Sequence, residues 1–262
     1  MMPPASSCLR GNVADVPQRR RIDAELVRRG LTSSRATASA AITDGRVTVN
    51  GAPVDRASRL VSPGDQLLVA DDGIAFVARS GAKLDAVFER FDDVDATDLH
   101  AVDCGSSTGG FTECLLRRGA RRVTAIDVGR HQLHERLRND PRVAVYEQTD
   151  VRSVDVSAVG GPFPMLVADL SFISLLSVRD ALLQLCQPEA IMVLLVKPQF
   201  EVGRVEAARA RGVIRDADQR HEALNRIIDG FAERGCTRTR WMESPIAGGS
   251  GNVEFLLVMR AP

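Results

Sequence analysis

A short pattern between residues 99 and 127 restricts the fold of this chain more than any other feature. An apolar run from Leu99 to Asp103 leads into a glycine-rich turn at Cys104 to Thr112, a helical segment, and a second run, Arg122 to Asp127. This order is typical of a nucleotide-binding βαβ unit: a strand, a glycine-rich turn, a helix, and a second strand that ends in an acid about 20 residues later. The pattern therefore predicts a parallel α/β sheet with a ligand at its carboxyl edge.

The glycine-rich turn favours S-adenosylmethionine over a dinucleotide. Asp103 precedes the glycines, where a carboxylate would repel a pyrophosphate but accommodate a cationic ligand. Asp127 ends the second strand, where it can accept hydrogen bonds from ribose hydroxyls. S-adenosylmethionine has a ribose, an ammonium and a sulfonium but no phosphate, so we expect this cofactor. The expected cofactor contacts are Asp103, Gly105, Ser106, Thr108, Gly109, Gly110, Phe111, Asp127, Asp150 and Asp169.

The alternation of strands and helices continues to the C-terminus. Three further apolar runs predict strands at Val143–Tyr146, Met165–Asp169 and Ile191–Val196, and the last, nearly all apolar, is expected at the centre of the sheet. Residues 238–243 and 253–259 predict a closing antiparallel hairpin. The expected fold class is α/β: a Rossmann-like class I methyltransferase with a central, mostly parallel sheet, plus a small N-terminal α+β RNA-binding domain.

The first seventy residues differ in charge from the rest of the chain. They hold ten arginines against six acids, whereas the whole chain has a formal net charge of zero. An amphipathic helix is predicted from Arg19, a second helix from Arg35 to Thr43 after a cap at Ser33 or Ser34, and a tight turn at Asn50–Gly51. A compact basic segment on a neutral protein indicates a polyanionic partner.

These N-terminal motifs resemble a known RNA-binding domain. They are similar to the domain named after small-subunit ribosomal protein four. The similarity is carried by residues 21–30, Ser34-Arg35, residues 45–47 and residues 49–51. The resemblance implies RNA binding, with Arg19, Arg21 and Arg35 as candidates for phosphate contacts. The expected organisation is a disordered extension (1–18), an RNA-binding domain (19–70), a linker (71–80) and an S-adenosylmethionine-dependent methyltransferase domain (81–262).

Lysine is rare in this chain, and its two positions are informative. Of the 34 basic residues only Lys83 and Lys197 are lysine. Arginine is effectively always protonated, whereas lysine can take part in proton transfer, so a surviving lysine marks a place where arginine is unsuitable. Lys197 follows the fifth predicted strand, Asp169 ends the fourth, and Glu254 is a lone charge among apolar residues. We expect all four residues to converge at the carboxyl edge of the sheet.

The order Lys83, Asp169, Lys197, Glu254 resembles the catalytic tetrad of FtsJ-type ribose 2′-O-methyltransferases. Together with the glycine-rich turn and the N-terminal module, the chain from Arg19 to Pro262 resembles the TlyA family, also called hemolysin A. The resemblance implies S-adenosylmethionine-dependent methylation of cytidine 2′-hydroxyls in 16S and 23S ribosomal RNA of the small and large ribosomal subunits. Our hypothesis is that Lys197 orients and deprotonates the hydroxyl, Asp169 tunes it, and Lys83 with Glu254 holds the nucleotide.

Cysteine usage and hydropathy bear on the competing function classes. Five dispersed cysteines favour a reducing, cytoplasmic location and no metal site, and no apolar run of about 18 residues predicts a membrane span. The competing hypotheses are a pore-forming hemolysin, a non-catalytic RNA-binding assembly factor and a small-molecule methyltransferase. The sequence leaves open the methylated nucleotide, whether both subunits are substrates, the protonation state of Lys197 and the oligomeric state.

Overall fold

The computed structural model describes residues 19–32, 34–69, 76–202, 212–248 and 251–262. The chain divides into two compact units, Met1–Ile74 and Ala75–Pro262. The expected extension, residues 1–18, and residues 71–75 of the expected linker lie outside the described residues.

The small unit combines two helices with short antiparallel strands. Its elements are β1 (Arg20–Arg21), α1 (Ile22–Arg28), α2 (Arg35–Thr43), β2 (Val47–Val49), β3 (Ala52–Pro53), β4 (Leu60–Val61) and β5 (Leu67–Val69). Strand β1 pairs with β4, and β2 lies between β3 and β5. Apolar residues from both helices, including Ile22, Leu26 and Ala41, pack with Val47 and Val49 in a common core.

Local signals predict most of this unit, with one error. Ser34 caps α2 by accepting a hydrogen bond from the backbone N–H of Thr37, and Asn50 and Gly51 both have positive φ, as a two-residue hairpin turn requires. The predicted helix start at Arg19 is wrong. Arg20 and Arg21 are extended because they pair with β4, and the helix begins only at Ile22.

The large unit alternates strands and helices. Its elements are α3 (Ser80–Arg90), β6 (His100–Cys104), α4 (Gly110–Arg117), β7 (Arg122–Ile126), α5 (Glu135–Arg138), β8 (Val143–Tyr146), a 3₁₀ turn (Val151–Ser153), β9 (Phe163–Ala168), α6 (Leu175–Gln184), β10 (Cys186–Val196), α7 (Pro198–Glu201), α8 (Ala217–Ala232), β11 (Thr237–Glu243) and β12 (Phe255–Arg260).

Seven strands form one sheet in the order β11-β12-β10-β9-β6-β7-β8. The five strands from β10 to β8 run parallel, and β12 is antiparallel to both of its neighbours. The chain moves outward from β6 through β7 to β8 and then returns to β9, so a switch point lies between β6 and β9. Ligands of open α/β sheets bind outside the carboxyl ends of the strands at such a point.

Helices cover both faces of the sheet. Along β10, Met192, Leu194 and Val196 pack on the side of α6 and α8, whereas Val193 and Leu195 pack on the side of α3 and α4. A strand that is buried on both faces must be apolar throughout, which explains the continuous run in the sequence. Polar chemistry is therefore concentrated at the strand ends.

Candidate active site

A cavity of about 420 Å³ opens at the carboxyl edge of the sheet. This size falls within the roughly 300–1,000 Å³ typical of small-molecule sites. Four of the predicted cofactor contacts line it: Gly105, Asp127, Asp150 and Asp169. Apolar side chains complete much of the wall: Ile126, Val128, Val151, Leu170, Ile173 and Val178. The cavity thus combines carboxylates at strand ends with an apolar surface, as a nucleoside requires.

The other predicted cofactor contacts lie outside the lining of this cavity: Asp103, Ser106, Thr108, Gly109, Gly110 and Phe111. Phe111 is buried in the apolar core beside α3. A Cβ on Gly109 would overlap Leu137, and one on Gly110 would lie 2.8 Å from the backbone nitrogen of Gly81. These glycines allow the turn to pack against neighbouring helices, so they shape the cavity indirectly.

Asp103 is a buried acid beneath the turn. Its Oδ2 accepts a hydrogen bond from Oγ1 of Thr112 at 2.6 Å, whereas Oδ1 has no partner among the described residues. Burial raises the pKa of the Asp103 carboxyl to about 7, since the charged form is disfavoured away from water. An orphaned acceptor at this position fits a cationic ligand better than an anionic one.

The two acids at the rim are held by local hydrogen bonds. Asp127 accepts from the backbone N–H groups of Ser107 at 2.8 Å and Gly129 at 2.6 Å. Hydrogen bonds from the guanidinium and backbone of Arg152 lower the pKa of Asp150 to about 2. A carboxylate has about four lone-pair sites, so Asp127, with two bonds, retains capacity for hydroxyl donors of a ligand. Arg152 directs four hydrogen bonds at Asp150, so a ligand donor there would compete with this arginine.

Both lysines are paired with the carboxylates expected beside them. Nζ of Lys83 donates to Oε2 of Glu254 at 2.5 Å, with both side chains buried. Nζ of Lys197 lies 2.6 Å from Oδ1 of Asp169 and donates to Oγ of Ser171 at 2.7 Å. Lys197 is 9% exposed, so its side chain is largely buried beside these two partners.

Strand register brings the two pairs to the same edge. Val196 of β10 lies opposite Phe255 of β12, so the next antiparallel register position sets Lys197 opposite Glu254. Asp169 directly follows β9, which is parallel to β10. Residues opposite each other on antiparallel strands have neighbouring side chains. Four distant sequence positions thus form two ion pairs at the carboxyl edge of the sheet, and Asp169, of the four, is among the residues that line the cavity.

Comparison with known protein families accounts for this architecture. A model of the FtsJ-like methyltransferases matches residues 76–261, and a model of the S4 domain matches residues 20–67. The chain belongs to the FtsJ-like methyltransferase family. The expected fold, a mostly parallel sheet preceded by a small α+β domain, is confirmed.

Relatives of this methyltransferase carry two kinds of name. The 16S/23S rRNA (cytidine-2′-O)-methyltransferase TlyA of Mycobacterium tuberculosis is 43% identical over 93% of this chain and 90% of its own length. Hemolysin A of Brachyspira hyodysenteriae is 35% identical over 90% of this chain and 98% of its own length. A solved Streptococcus thermophilus structure, named provisionally as a hemolysin, has a TM-score of 0.71 at 32% identity and covers 94% of this chain and 89% of that one. The chain therefore belongs to the TlyA family.

In the S4 domain of this methyltransferase, two of the three predicted phosphate contacts converge on one acid. Arg21 and Arg35 both bind Asp23, which is 3% exposed, and Arg21 does so through two nitrogens. These bonds lower the pKa of Asp23 to about 2. Arg19 is exposed, and both paired guanidiniums remain at least half exposed. The domain therefore presents a fixed group of cations.

Sequence reasoning missed several residues of the methyltransferase cavity. Ser107, Arg152 and Ser171 all line it, and each lies within four residues of a predicted acid or glycine. Proximity to a strand end was the available signal, but it does not tell which side chain of a loop points into the cavity. Ser171 is the most consequential omission because it contacts Lys197.

Among the described residues, no helix is both long and apolar enough to cross a membrane. Within the same ranges, no group of three histidine, cysteine or acidic side chains is arranged to hold a metal ion.

Proposed function

We propose that this protein transfers a methyl group from S-adenosylmethionine to the 2′-hydroxyl of cytidine in ribosomal RNA. The observation that carries the proposal is the presence of two lysine–carboxylate contacts at the carboxyl edge of the sheet, Lys83–Glu254 and Lys197–Asp169. They use the only two lysines of the chain. The name of the M. tuberculosis relative supports the ribose chemistry and the RNA substrate.

The cavity suits the proposed cofactor. Asp127 and Asp150 would accept hydrogen bonds from the ribose and adenine groups, and the wall formed by Ile126, Val151 and Leu170 would cover the flat base. The carboxyl group of Asp103, directly before the glycine-rich turn, would disfavour the pyrophosphate of a dinucleotide. The bound cofactor would supply an electrophilic methyl group to the ribose oxygen.

Lys197 is the proposed proton acceptor. A ribose hydroxyl is a weak acid, so a positioned base assists its attack. Asp169 forms an ion pair with Nζ of Lys197 at 2.6 Å, and the hydrogen bond that Nζ donates to Ser171 at 2.7 Å gives it a direction. Lys197 accepts the proton as the neutral amine, a form that arginine does not adopt in proteins.

The second pair is proposed to hold the target nucleotide. Lys83 and Glu254 satisfy each other, and both are anchored by secondary structure, in α3 and directly before β12. A buried, paired ammonium offers its remaining N–H donors to ribose or phosphate oxygens. In this assignment Lys83 and Glu254 bind the nucleotide, and Lys197 alone accepts the proton.

RNA recognition is proposed to begin at the S4 domain. Arg19, Arg21 and Arg35 would contact phosphates, since arginine binds phosphate oxygens through several N–H groups. Both ribosomal subunits are proposed substrates, in the cytoplasm. The relatives differ on this point: the Campylobacter jejuni protein, 34% identical over 69% of this chain, is named only for 23S rRNA.

Tritiated methyl transfer to isolated small and large ribosomal subunits, followed by mapping of the modified ribose, tests the proposal. We expect incorporation at a cytidine 2′-oxygen. Binding of S-adenosylmethionine without incorporation into either subunit would contradict it. The hemolysin hypothesis predicts leakage of dye from phospholipid vesicles, and the assembly-factor hypothesis predicts RNA binding without cofactor binding.

A further inference from the structure

Ser171 contacts the lysine that is proposed to accept the proton. It lies three residues after the end of β9, in the loop before α6, and it lines the cavity with its side chain exposed. Nζ of Lys197 donates to Oγ of Ser171 at 2.7 Å and lies 2.6 Å from Oδ1 of Asp169. The lysine nitrogen is therefore held between two oxygens of one loop.

The contact with Ser171 is the directional one of the two. Asp169 lies within ion-pair distance of Nζ but accepts no hydrogen bond at Oδ1, whereas Ser171 accepts an N–H of Lys197, so the hydroxyl defines where that N–H points. The hydroxyl oxygen of Ser171 accepts from Lys197, which leaves its own proton available. No residue in the described part of the chain accepts that proton, and the Ser171 side chain faces the open cavity.

The same two segments are joined a second time. Oγ of Ser174 donates to Oε2 of Glu201 at 2.6 Å, and the backbone N–H of Leu175 donates to Oε1 at 2.9 Å. Glu201 is 7% exposed and follows Lys197 in the chain by one helical turn, α7. The segment after β9 and the segment after β10 are thus tied at both ends. The contact between Ser171 and Lys197 is consequently set by the fold rather than by one rotamer of a mobile side chain.

We propose that Ser171 is a positioning residue for methyl transfer, which directs Nζ of Lys197 toward the ribose hydroxyl of the RNA. This inference rests on the proposed function. Ser171 acts through Lys197, so its removal should affect the rate of the chemical step and not the binding of either substrate. A misplacement of about 1 Å in a reacting group can cost on the order of 10²-fold in rate.

The test compares Ser171→Ala, Ser171→Thr and the control Ser177→Ala in the full-length protein. Ser177 belongs to α6, and its Oγ donates to the backbone oxygen of Ser174, so its truncation removes a nearby hydroxyl without touching Lys197. Three quantities are measured for each variant: kcat and KM for tritiated methyl transfer to ribosomal subunits, the Kd for S-adenosylmethionine by calorimetry, and Tm.

We expect Ser171→Ala to lower kcat by about tenfold to a hundredfold while KM, Kd and Tm stay near wild type. Ser171→Thr should recover most of the rate because it restores the hydroxyl, and Ser177→Ala should match the wild type. An unchanged kcat in Ser171→Ala would overturn the inference. The inference would also be overturned if Ser171→Thr did not restore kcat. The same holds if the loss of kcat in Ser171→Ala came with weaker cofactor binding or with unfolding. A wild-type protein that methylates neither subunit would overturn the proposed function itself, and this inference with it.

Discussion

Lys83 and Glu254 are 171 positions apart in the chain, yet Nζ of one donates to Oε2 of the other at 2.5 Å with both side chains buried. The contact joins the helix that precedes the sheet to the residue directly before its last strand, β12. Breaking a buried pair from one side leaves an uncompensated charge. The pair is therefore a structural requirement as well as a proposed part of the substrate site.

Truncation of Glu254 should strongly destabilise the protein. Glu254→Ala leaves the Lys83 ammonium buried without its carboxylate, and we expect a loss of about 3–5 kcal/mol in the free energy of unfolding by denaturant titration. Glu243→Ala provides the control, since this exposed glutamate lies opposite Phe255 on the neighbouring strand. Its expected effect is within about 0.5 kcal/mol. Equal losses in both variants would show that the buried pair carries no special cost.

The backbone at Gly105 should tolerate no side chain. Gly105 has a φ of 84°, and a Cβ there would lie 2.6 Å from the backbone oxygen of Asp169. Gly45 has a similar φ of 71° with no atom within 4 Å of its Cβ position. Gly105→Ala should therefore weaken S-adenosylmethionine binding by at least about tenfold, whereas Gly45→Ala should cost only about 1–2 kcal/mol in stability. Calorimetry that found the same Kd for both variants would be inconsistent with the crowding at Gly105.

Asp103 should make stability depend on pH near neutrality. Burial raises the pKa of its carboxyl to about 7 in the folded protein, above the unfolded value near 3.9. The folded state then binds more protons than the unfolded state between these values, so this group's contribution to stability falls as pH rises through that window. Asp103→Asn keeps an acceptor for Thr112 but does not titrate.

The variant should therefore gain stability relative to the wild type by about 2–3 kcal/mol between pH 5 and pH 8. Denaturant titrations of both proteins at the two pH values measure this difference. If the difference in free energy of unfolding between variant and wild type stayed constant with pH, Asp103 would have to be ionised in the folded protein at pH 5.

The S4-domain arginines should control the salt dependence of RNA binding. Each phosphate contact contributes roughly 0.7–0.9 to the slope of log affinity against log salt concentration. Replacing Arg19, Arg21 and Arg35 by glutamine should flatten that slope by about 2. Glutamine preserves a hydrogen-bond donor for the buried Asp23. Fluorescence anisotropy of a labelled ribosomal RNA fragment over a range of KCl concentrations measures the slope.

The control for this experiment is Arg142→Gln. Arg142 binds Asp140 through two nitrogens and is half exposed, as Arg21 is with Asp23, but it lies in the methyltransferase unit. It should leave the slope unchanged. A slope that responds as strongly to Arg142 as to the S4-domain arginines would move RNA recognition away from that domain.

Local sequence patterns predict the elements that depend on local physics. The cap at Ser34, the turn at Asn50–Gly51 and the parallel strands all follow from short motifs. The start of α1 does not, because Arg20 and Arg21 are held extended by pairing with β4, far along the chain. The position of β12 between β10 and β11 is equally non-local: the sequence predicts the hairpin but not which of its strands lies next to β10.

The candidate site, too, is predicted from the sequence only in part. The lysine count predicts Lys83 and Lys197, the strand-end position predicts Asp169, and the apolar surroundings predict Glu254. The structure joins the four in two ion pairs. The glycine-rich turn is less predictable in detail. Phe111 faces the core, because the first turn of α4 packs against the sheet. Ser171 went unnoticed because a serine after a strand carries no distinguishing signal until its contact with Lys197 is seen.

Methyl transfer by Lys197→Arg is the most direct test of the central claim. Arginine keeps the positive charge beside Asp169 but cannot accept a proton, so the variant should bind S-adenosylmethionine nearly as the wild type does. Its transfer of tritiated methyl groups to ribosomal subunits should fall by a factor of about 10² or more. Transfer by Lys197→Arg at a rate close to that of the wild type would contradict the assignment of Lys197 as the proton acceptor.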